Sequence, residues 1–121
     1  MEITDNQSKG KEGEEQAYQY LIQNQYNILE RNWRFGHLEV DVIASDKDRI
    51  IFCEVKARSS QTFGPPEINV TKQKQRNLIQ AAHHYVCKKG INLEVRFDII
   101  TIVFKPKLQI NHIPNAFTAR W

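Results

Sequence analysis

Two acidic residues and a lysine, close together in the chain, are the residues best suited to chemistry. Asp41 precedes a polar turn at residues 45–49, and Glu54 and Lys56 follow that turn. Side chains alternate across a strand, so Glu54 and Lys56 share one face if their segment is a strand. A hairpin centred on the turn places Asp41 opposite Glu54 and Glu39 opposite Lys56, with directly opposed Cβ atoms roughly 5 Å apart.

This predicted arrangement suits a metal ion and a phosphate. Two carboxylates so close together repel each other and favour a cation between them. Mg²⁺ fits, because it is commonly held by one or two carboxylates together with water and substrate phosphate. The corresponding reaction is phosphodiester hydrolysis, in which the ion polarises the phosphate and lowers the pKa of bound water. Lys56 would orient the nucleophile or stabilise the developing charge.

A purely structural interpretation of the same residues stays open. Asp41 and Glu54 could lie on a solvated sheet face, with Lys56 in a cross-strand ion pair. Apolar neighbours on the same face argue against this interpretation, because charges embedded among apolar side chains are costly without a purpose. These neighbours are Ile43, Ile50 and Phe52.

Glu14 is a further acidic candidate. It lies four residues before Tyr18 and seven before Leu21, so it continues the apolar stripe of a predicted helix. From there it could reach the metal as a third acidic group. The alternative is a first-turn glutamate that the helix dipole favours.

Basic residues beyond the hairpin could bind the nucleic acid backbone. Lys72, Lys74, Gln75 and Arg76 open a predicted second helix, and basic side chains at a helix N-terminus suit phosphate. Arg58 directly follows the Glu54 segment and could contact the same backbone. The alternatives are an ordinary solvated helical turn and a polar loop exit.

The surrounding sequence predicts a single α/β domain with an αβββαβ core and a mixed central sheet. The third strand, the second helix and the fourth strand form a crossover, which predicts that these two strands are parallel. Residues 1–12 are predicted to be a flexible N-terminus, and residues 13–121 form the domain. The predicted elements are a helix from Gly13 to about Asn24, strands at 27–35, 38–44, 50–56 and 93–104, a loop at 57–70, a helix from N-cap Thr71 to Gly90, and a short strand at 109–113.

Composition sets broader limits. The 121 residues are 40% hydrophobic, enough for one core. A net charge of +3 from 17 basic and 14 acidic residues permits nucleic acid binding without requiring it. Cys53 and Cys87 are predicted to be buried, reduced thiols, which favours a cytoplasmic location. Neither a secretory signal nor a run long enough to span a membrane is expected.

The motifs together resemble a known family. Asp41 with Glu54-Val55-Lys56 resembles the D…E-X-K signature of the PD-(D/E)XK nuclease superfamily. A wider set, spread over roughly residues 10–117, resembles the YraN family of bacterial proteins. That set is Gly10-Lys11-Glu12-Gly13-Glu14-Glu15-Gln16-Ala17, Tyr20-Leu21, Leu29-Glu30-Arg31-Asn32-Trp33-Arg34, Glu39-Val40-Asp41-Val42-Ile43-Ala44, Phe52-Cys53-Glu54-Val55-Lys56-Ala57-Arg58 and Arg96-Phe97-Asp98.

The resemblance implies a fold and a site. It implies a restriction-endonuclease-like fold, similar to archaeal Holliday junction resolvases. It also implies Asp41 and Glu54 as metal ligands, Lys56 as the catalytic lysine, and a role for Glu14, which we count with the ligands.

Three hypotheses follow. The first is a Mg²⁺- or Mn²⁺-dependent endonuclease that acts on DNA, with branched or damaged DNA as the candidate substrate. A junction substrate would favour a symmetric homodimer. The second is a non-catalytic nucleic-acid-binding module that retains the nuclease fold. The third is a protein-interaction domain with a structural charge cluster.

Overall fold

A computed structural model describes residues 5–60 and 70–119 as two helices and one sheet. The predicted αβββαβ order is confirmed, and a further edge strand follows it. The elements are α1 (Asp5–Gln23), β1 (Asn27–Phe35), β2 (Leu38–Ser45), β3 (Arg49–Ser60), α2 (Lys72–Lys89), β4 (Glu94–Lys105) and β5 (Gln109–Phe117).

The five strands form one mixed sheet in the order β1-β2-β3-β4-β5. β3 and β4 are parallel, as the crossover predicted, and the other neighbouring pairs are antiparallel. The parallel pair lies in the interior of the sheet, where helices cover both faces. None of the described helices is long and apolar enough to cross a membrane.

Helix α2 begins and ends where its sequence predicts. The Thr71 hydroxyl accepts a hydrogen bond of 3.1 Å from the backbone N–H of Lys74, the usual arrangement of an N-cap threonine. At the other end Gly90 has a φ of 65°. Glycine adopts this left-handed conformation without strain, so it terminates the helix.

Three predicted boundaries are wrong. β5 continues to Phe117 rather than ending at residue 113. α1 begins at Asp5 rather than at Gly13. β3 continues to Ser60 because its pairing with β4 extends that far, so residues 57–60 are strand and not loop. The remaining loop residues, 61–69, which include Gly64-Pro65-Pro66, lie outside the described residues. The domain boundary at residue 13 stays a prediction.

Each helix covers one face of the sheet with its own apolar cluster. The α2 cluster includes Ile43, Ile50, Phe52, Leu78 and Tyr85. The buried residues of the α1 cluster are Ala17, Tyr18, Leu21, Val42, Ala44, Ile51, Cys53, Ile100 and Ile102. Cys53 is buried as predicted. The prediction for Cys87 is wrong, because this thiol is exposed on α2.

Gly13 permits an unusually close approach of α1 to β3. A Cβ atom added at Gly13 would lie 2.4 Å from the Cβ atom of Ala57, whereas one added at Gly10 would meet nothing within 4 Å. Real Cβ atoms essentially never come within 3.0 Å of another heavy atom. The missing side chain therefore sets the height of α1 above the sheet at the residue that precedes Glu14.

The buried carboxylate of Asp98 organises a network that holds the C-terminal end of α1. Asp98 accepts two hydrogen bonds from Arg96, at 2.9 and 2.8 Å, one from the backbone N–H of Asn115 at 3.0 Å, and lies 2.6 Å from His112 Nε2. Burial alone would raise the pKa of Asp98, but the bonds from His112, Arg96 and Asn115 lower it. Because Tyr20 of α1 lies 3.0 Å from the other His112 ring nitrogen, this network joins α1 to β4 and β5.

Candidate functional site

The sheet divides at Asp41 and Glu54, and we call this division the fork. The last pair in the β2–β3 ladder is Val42 with Cys53. Beyond it β2 pairs only with β1, and β3 only with β4. At the point of separation the Asp41 Oδ2 atom accepts a hydrogen bond of 2.8 Å from the backbone N–H of Val55, so a side chain takes over where the backbone ladder stops.

At the same place the side chains of β2 no longer alternate regularly between the two faces of the sheet. Val42 packs in the α1 cluster, but Val40, two residues earlier, packs in the α2 cluster. Regular alternation would put both on one face. The paired strand β1 has its own irregularity between the partners of these two residues, where Asn32 has a φ of 50°. These irregularities turn the first residues of β2, together with their partners on β1, away from β3 and open the fork.

Burial and repulsion perturb the Asp41 carboxyl. The pKa of Asp41 is raised from 3.8 to about 7, mainly by burial and then by the negative charge of Glu54. The bond from Val55 acts in the opposite direction and lowers it. Around neutral pH this group is therefore close to its titration point, which is typical of functional carboxylates.

Glu54 is the second carboxylate of the fork, and its side chain is only 13% exposed. Burial raises the pKa of Glu54, while the charge and hydrogen bond of Lys74 and the charge of Lys56 lower it. Lys74 Nζ lies 3.5 Å from Glu54 Oε1. Lys56 follows Glu54 by two residues on β3 and so belongs on the same face. The predicted trio is thus brought together, with Lys74 of α2 added to it.

Glu14 approaches the fork from α1, but a neighbour on β1 holds it. Its Oε2 atom accepts a hydrogen bond of 3.1 Å from Asn32 Nδ2, which also lies 3.4 Å from the hydroxyl of Tyr18. The negative charge of Glu14 contributes to the raised pKa of Asp41, so the two carboxylates interact. A direct role for Glu14 as a third metal ligand stays a prediction.

The donor set fits a hard divalent cation held by few protein ligands. Among the described side chains, those of residues 10–60 and 70–119, no three His, Cys, Asp or Glu groups lie close enough to hold a metal. Asp41 and Glu54 supply two oxygen-donor groups, and the negative charge of Glu54 raises the pKa of Asp41. A Mg²⁺ site needs no more, because this ion usually keeps several waters. The fork therefore suits Mg²⁺ or Mn²⁺ better than a metal that needs a complete protein cage.

The remaining predicted residues lie around the fork. Glu39 does not oppose Lys56, because the ladder has already ended there; its carboxylate instead lies 3.7 Å from Arg34 on β1. Arg58 is half-buried on β3 beside Val103 of β4. The other predicted nucleic-acid-binding residues, Lys72, Gln75 and Arg76, line a separate cavity on α2.

Sequence reasoning missed two features of the site. It did not identify Asn32, although asparagine within a strand is uncommon and tolerates the left-handed conformation found here. It also did not identify Lys74 as the partner of Glu54. Lys74 shares the direction of the buried Leu78 and Ala82, and this spacing predicts that it approaches the site, but the carboxylate that it meets depends on how the helix crosses the sheet.

Comparisons with known proteins agree on one family. A model of the uncharacterised protein family UPF0102 matches residues 13–102. A UPF0102 protein from Geobacter metallireducens is 45% identical over 114 residues, which cover 93% of each chain. One from Phocaeicola vulgatus is 46% identical over 109 residues, or 89% of this chain and 90% of the relative. One from Christiangramia forsetii is 41% identical over 116 residues, or 95% and 98%.

Proposed function

This chain belongs to the uncharacterised protein family UPF0102, the YraN family that its motifs resemble, and we propose that it is a metal-dependent endonuclease that hydrolyses DNA phosphodiester bonds. The observation that carries the proposal is the fork itself. Two half-buried carboxylates, Asp41 and Glu54, meet where the sheet opens, and burial is the main cause of their raised pKa values, with the charge of Glu54 adding to that of Asp41. Such a site favours a divalent cation.

In this proposal each residue has a defined task. Asp41 and Glu54 hold Mg²⁺ or Mn²⁺, which when bound neutralises the carboxylates and polarises the scissile phosphate. Lys56 orients the attacking water or stabilises the charge that develops on the phosphate. Glu14 restrains the fork from α1. Arg58 contacts the DNA backbone next to the scissile phosphate. A cytoplasmic location and a homodimer stay predictions.

Lys56→Met is the first test of the proposal. Methionine keeps much of the side-chain length and removes the charge, so we expect cleavage to fall at least about 100-fold, as for other donors aimed at a transition-state charge. The assay uses linear duplex, nicked, branched and single-stranded DNA, each with Mg²⁺, Mn²⁺ or a chelator. Lys47→Met, in the exposed β2–β3 turn, is the matched control. Cleavage by Lys56→Met at the rate of the unmodified chain would contradict the assignment.

Lys74→Met is expected to bind Mn²⁺ more tightly in the absence of DNA. Lys74 and a metal ion compete for the Glu54 carboxylate, which lies 3.5 Å from the Lys74 ammonium. Removing a like charge from a partly buried cation site should increase its affinity roughly tenfold, equivalent to about 1.4 kcal/mol. The same substitution should weaken binding to DNA, because the displaced ammonium is then lost as a phosphate contact.

The measurement is a Mn²⁺ titration at pH 8, followed by electron paramagnetic resonance of the free ion. Lys72→Met serves as the control, because this exposed lysine lies on the same helix and lines the cavity rather than pairing with Glu54. Unchanged or weaker Mn²⁺ binding by Lys74→Met alone would show that Glu54 is not a ligand.

The ion pair also favours one alternative function. A Glu54 carboxylate that Lys74 already neutralises is compatible with a nucleic-acid-binding module that has no turnover. That protein would bind DNA in a salt-dependent manner, and neither Mg²⁺ nor Mn²⁺ would produce cleavage of any substrate. The Mn²⁺ titration separates the two functions, because the binding module has no need of a metal.

A further inference from the structure

α2 and β5 line an open cavity of about 520 Å³, which is within the usual range for small-ligand sites. One wall is a single side of α2, since its residues are spaced by three or four positions. The other wall is the end of β5 and the residue that follows. The described residues that line the cavity are Lys72, Gln75, Arg76, Ile79, Phe117 and Thr118.

The lining is charged on one side and apolar on the other. Lys72 and Arg76 are exposed and basic, and none of the described lining residues is acidic. Ile79 and Phe117 are half-buried and form the apolar part. A ligand that complements both parts carries an anionic group next to a flat ring. A nucleotide has this chemistry, because its phosphate pairs with basic side chains and its base stacks on aromatic ones.

Phe117 is held in place from behind. Its ring stacks on that of Phe97, with centroids 5.0 Å apart and an angle of 16° between the planes. The ring centroid of Phe97 in turn lies 5.9 Å from that of Phe52 in the core. An aromatic ring fixed in this way loses little freedom when a base stacks on its other face.

The cavity lies on the same face of the sheet as the fork. Phe52, Phe97 and Phe117 are neighbours in register across β3, β4 and β5, so about 10 Å of sheet separates the outer two. Glu54 follows Phe52 by two residues on the same face. A single strand of nucleic acid spans the distance from Phe117 in the cavity to Glu54 at the fork with about three nucleotides.

We propose that this cavity binds an unpaired nucleotide of the DNA strand whose phosphodiester bond lies at the fork. The inference rests on the proposed nuclease function and defines its substrate class. The base packs against Phe117 and Ile79, and its phosphate pairs with Lys72 and Arg76. A base inside an intact duplex must first leave the stack, whereas an unpaired one enters at little cost. The substrate is therefore DNA with an unpaired nucleotide within a few positions of the cleaved bond.

Binding measurements in the presence of a chelator test this proposal without cleavage. Fluorescence anisotropy gives the affinities for a duplex and for the same duplex with one unpaired nucleotide. We expect the unmodified chain to prefer the second by about tenfold. Phe117→Leu and Arg76→Gln should each bring this ratio close to one, while Lys88→Gln, at the far end of α2, should preserve it. The exposed Arg76 provides a variant whose folding is not in question if Phe117→Leu is unstable.

The outcomes separate the two proposals. A preference that Arg76→Gln removes, in a protein that cuts no DNA with either metal, supports the cavity and contradicts the nuclease. Cleavage without such a preference, or a ratio that both variants leave unchanged, overturns the cavity proposal alone. A free mononucleotide that competes as well as the unpaired nucleotide in a strand also overturns it, because the cavity would then serve a separate small ligand.

Discussion

Asp41→Asn is expected to abolish metal-dependent cleavage and, at the same time, to stabilise the fold. The substitution keeps the size of the side chain and an oxygen that can accept the bond from Val55, but removes the negative charge that would hold the cation. We expect cleavage to fall more than about 1000-fold, since both the ion and the charge stabilisation it supplies are lost. Mn²⁺ binding should weaken in parallel.

The stability gain follows from the raised pKa of Asp41, about 7 against an ordinary 3.8. In the unfolded chain this carboxyl ionises near pH 4, whereas in the folded chain it keeps its proton to about pH 7. The unfolded state thus binds fewer protons in that window, so the stability of the unmodified chain falls as pH rises from about 4 to 7. Asp41→Asn removes this loss.

Urea denaturation at pH 5 and pH 8 measures the difference. One pKa unit corresponds to about 1.4 kcal/mol. We expect the variant to be more stable by about 2 kcal/mol at pH 8 and by less at pH 5. The gain is smaller than the full pKa shift of Asp41 implies, because burial of the polar asparagine amide group also has a cost. Asp48→Asn, in the exposed turn before β3, should change neither cleavage nor stability. A variant that still cleaves with metal would remove Asp41 from the site.

Two features of the fold and the site could be predicted from the sequence: the ends of α2 and the closeness of Asp41 to Glu54. The caps of α2 were predictable because Thr71 and Gly90 form hydrogen bonds with backbone groups only three or four residues away. The juxtaposition of Asp41 and Glu54 was predictable because the intervening turn fixes which residues face each other. Both depend on interactions between residues close in the chain, and such interactions are readable from spacing.

The fork itself was not predictable from alternation. A regular hairpin would have continued past Val42 and placed Glu39 opposite Lys56, but β2 changes its facing between Val40 and Val42. The change lies opposite Asn32 on the neighbouring strand, which has a positive φ and donates a hydrogen bond to Glu14 of α1. An asparagine within a strand is a local signal for the positive φ, but its contact with Glu14 is long-range and no local pattern encodes it.

Gly13→Ala is expected to damage both folding and function, although it adds only one methyl group. The added Cβ atom would lie 2.4 Å from the Cβ atom of Ala57, so α1 must move away from β3. Overpacking of this kind costs up to about 3 kcal/mol. The shift carries Glu14 away from Asn32 and changes the electrostatic surroundings of Asp41, so we expect cleavage to fall at least about tenfold, from a loss of site positioning.

Two matched variants isolate the steric cause. Gly10→Ala changes the same residue type one helical turn earlier, where an added Cβ atom meets nothing within 4 Å; it should stabilise α1 by up to about 1 kcal/mol through helix propensity alone. Ala57→Gly combined with Gly13→Ala moves the methyl group from the strand to the helix and should restore most of the stability and cleavage. If the double variant is as impaired as Gly13→Ala alone, the contact with Ala57 does not set the position of α1. If it recovers, the energetic coupling between these two residues measures how strongly helix position determines the geometry of the fork.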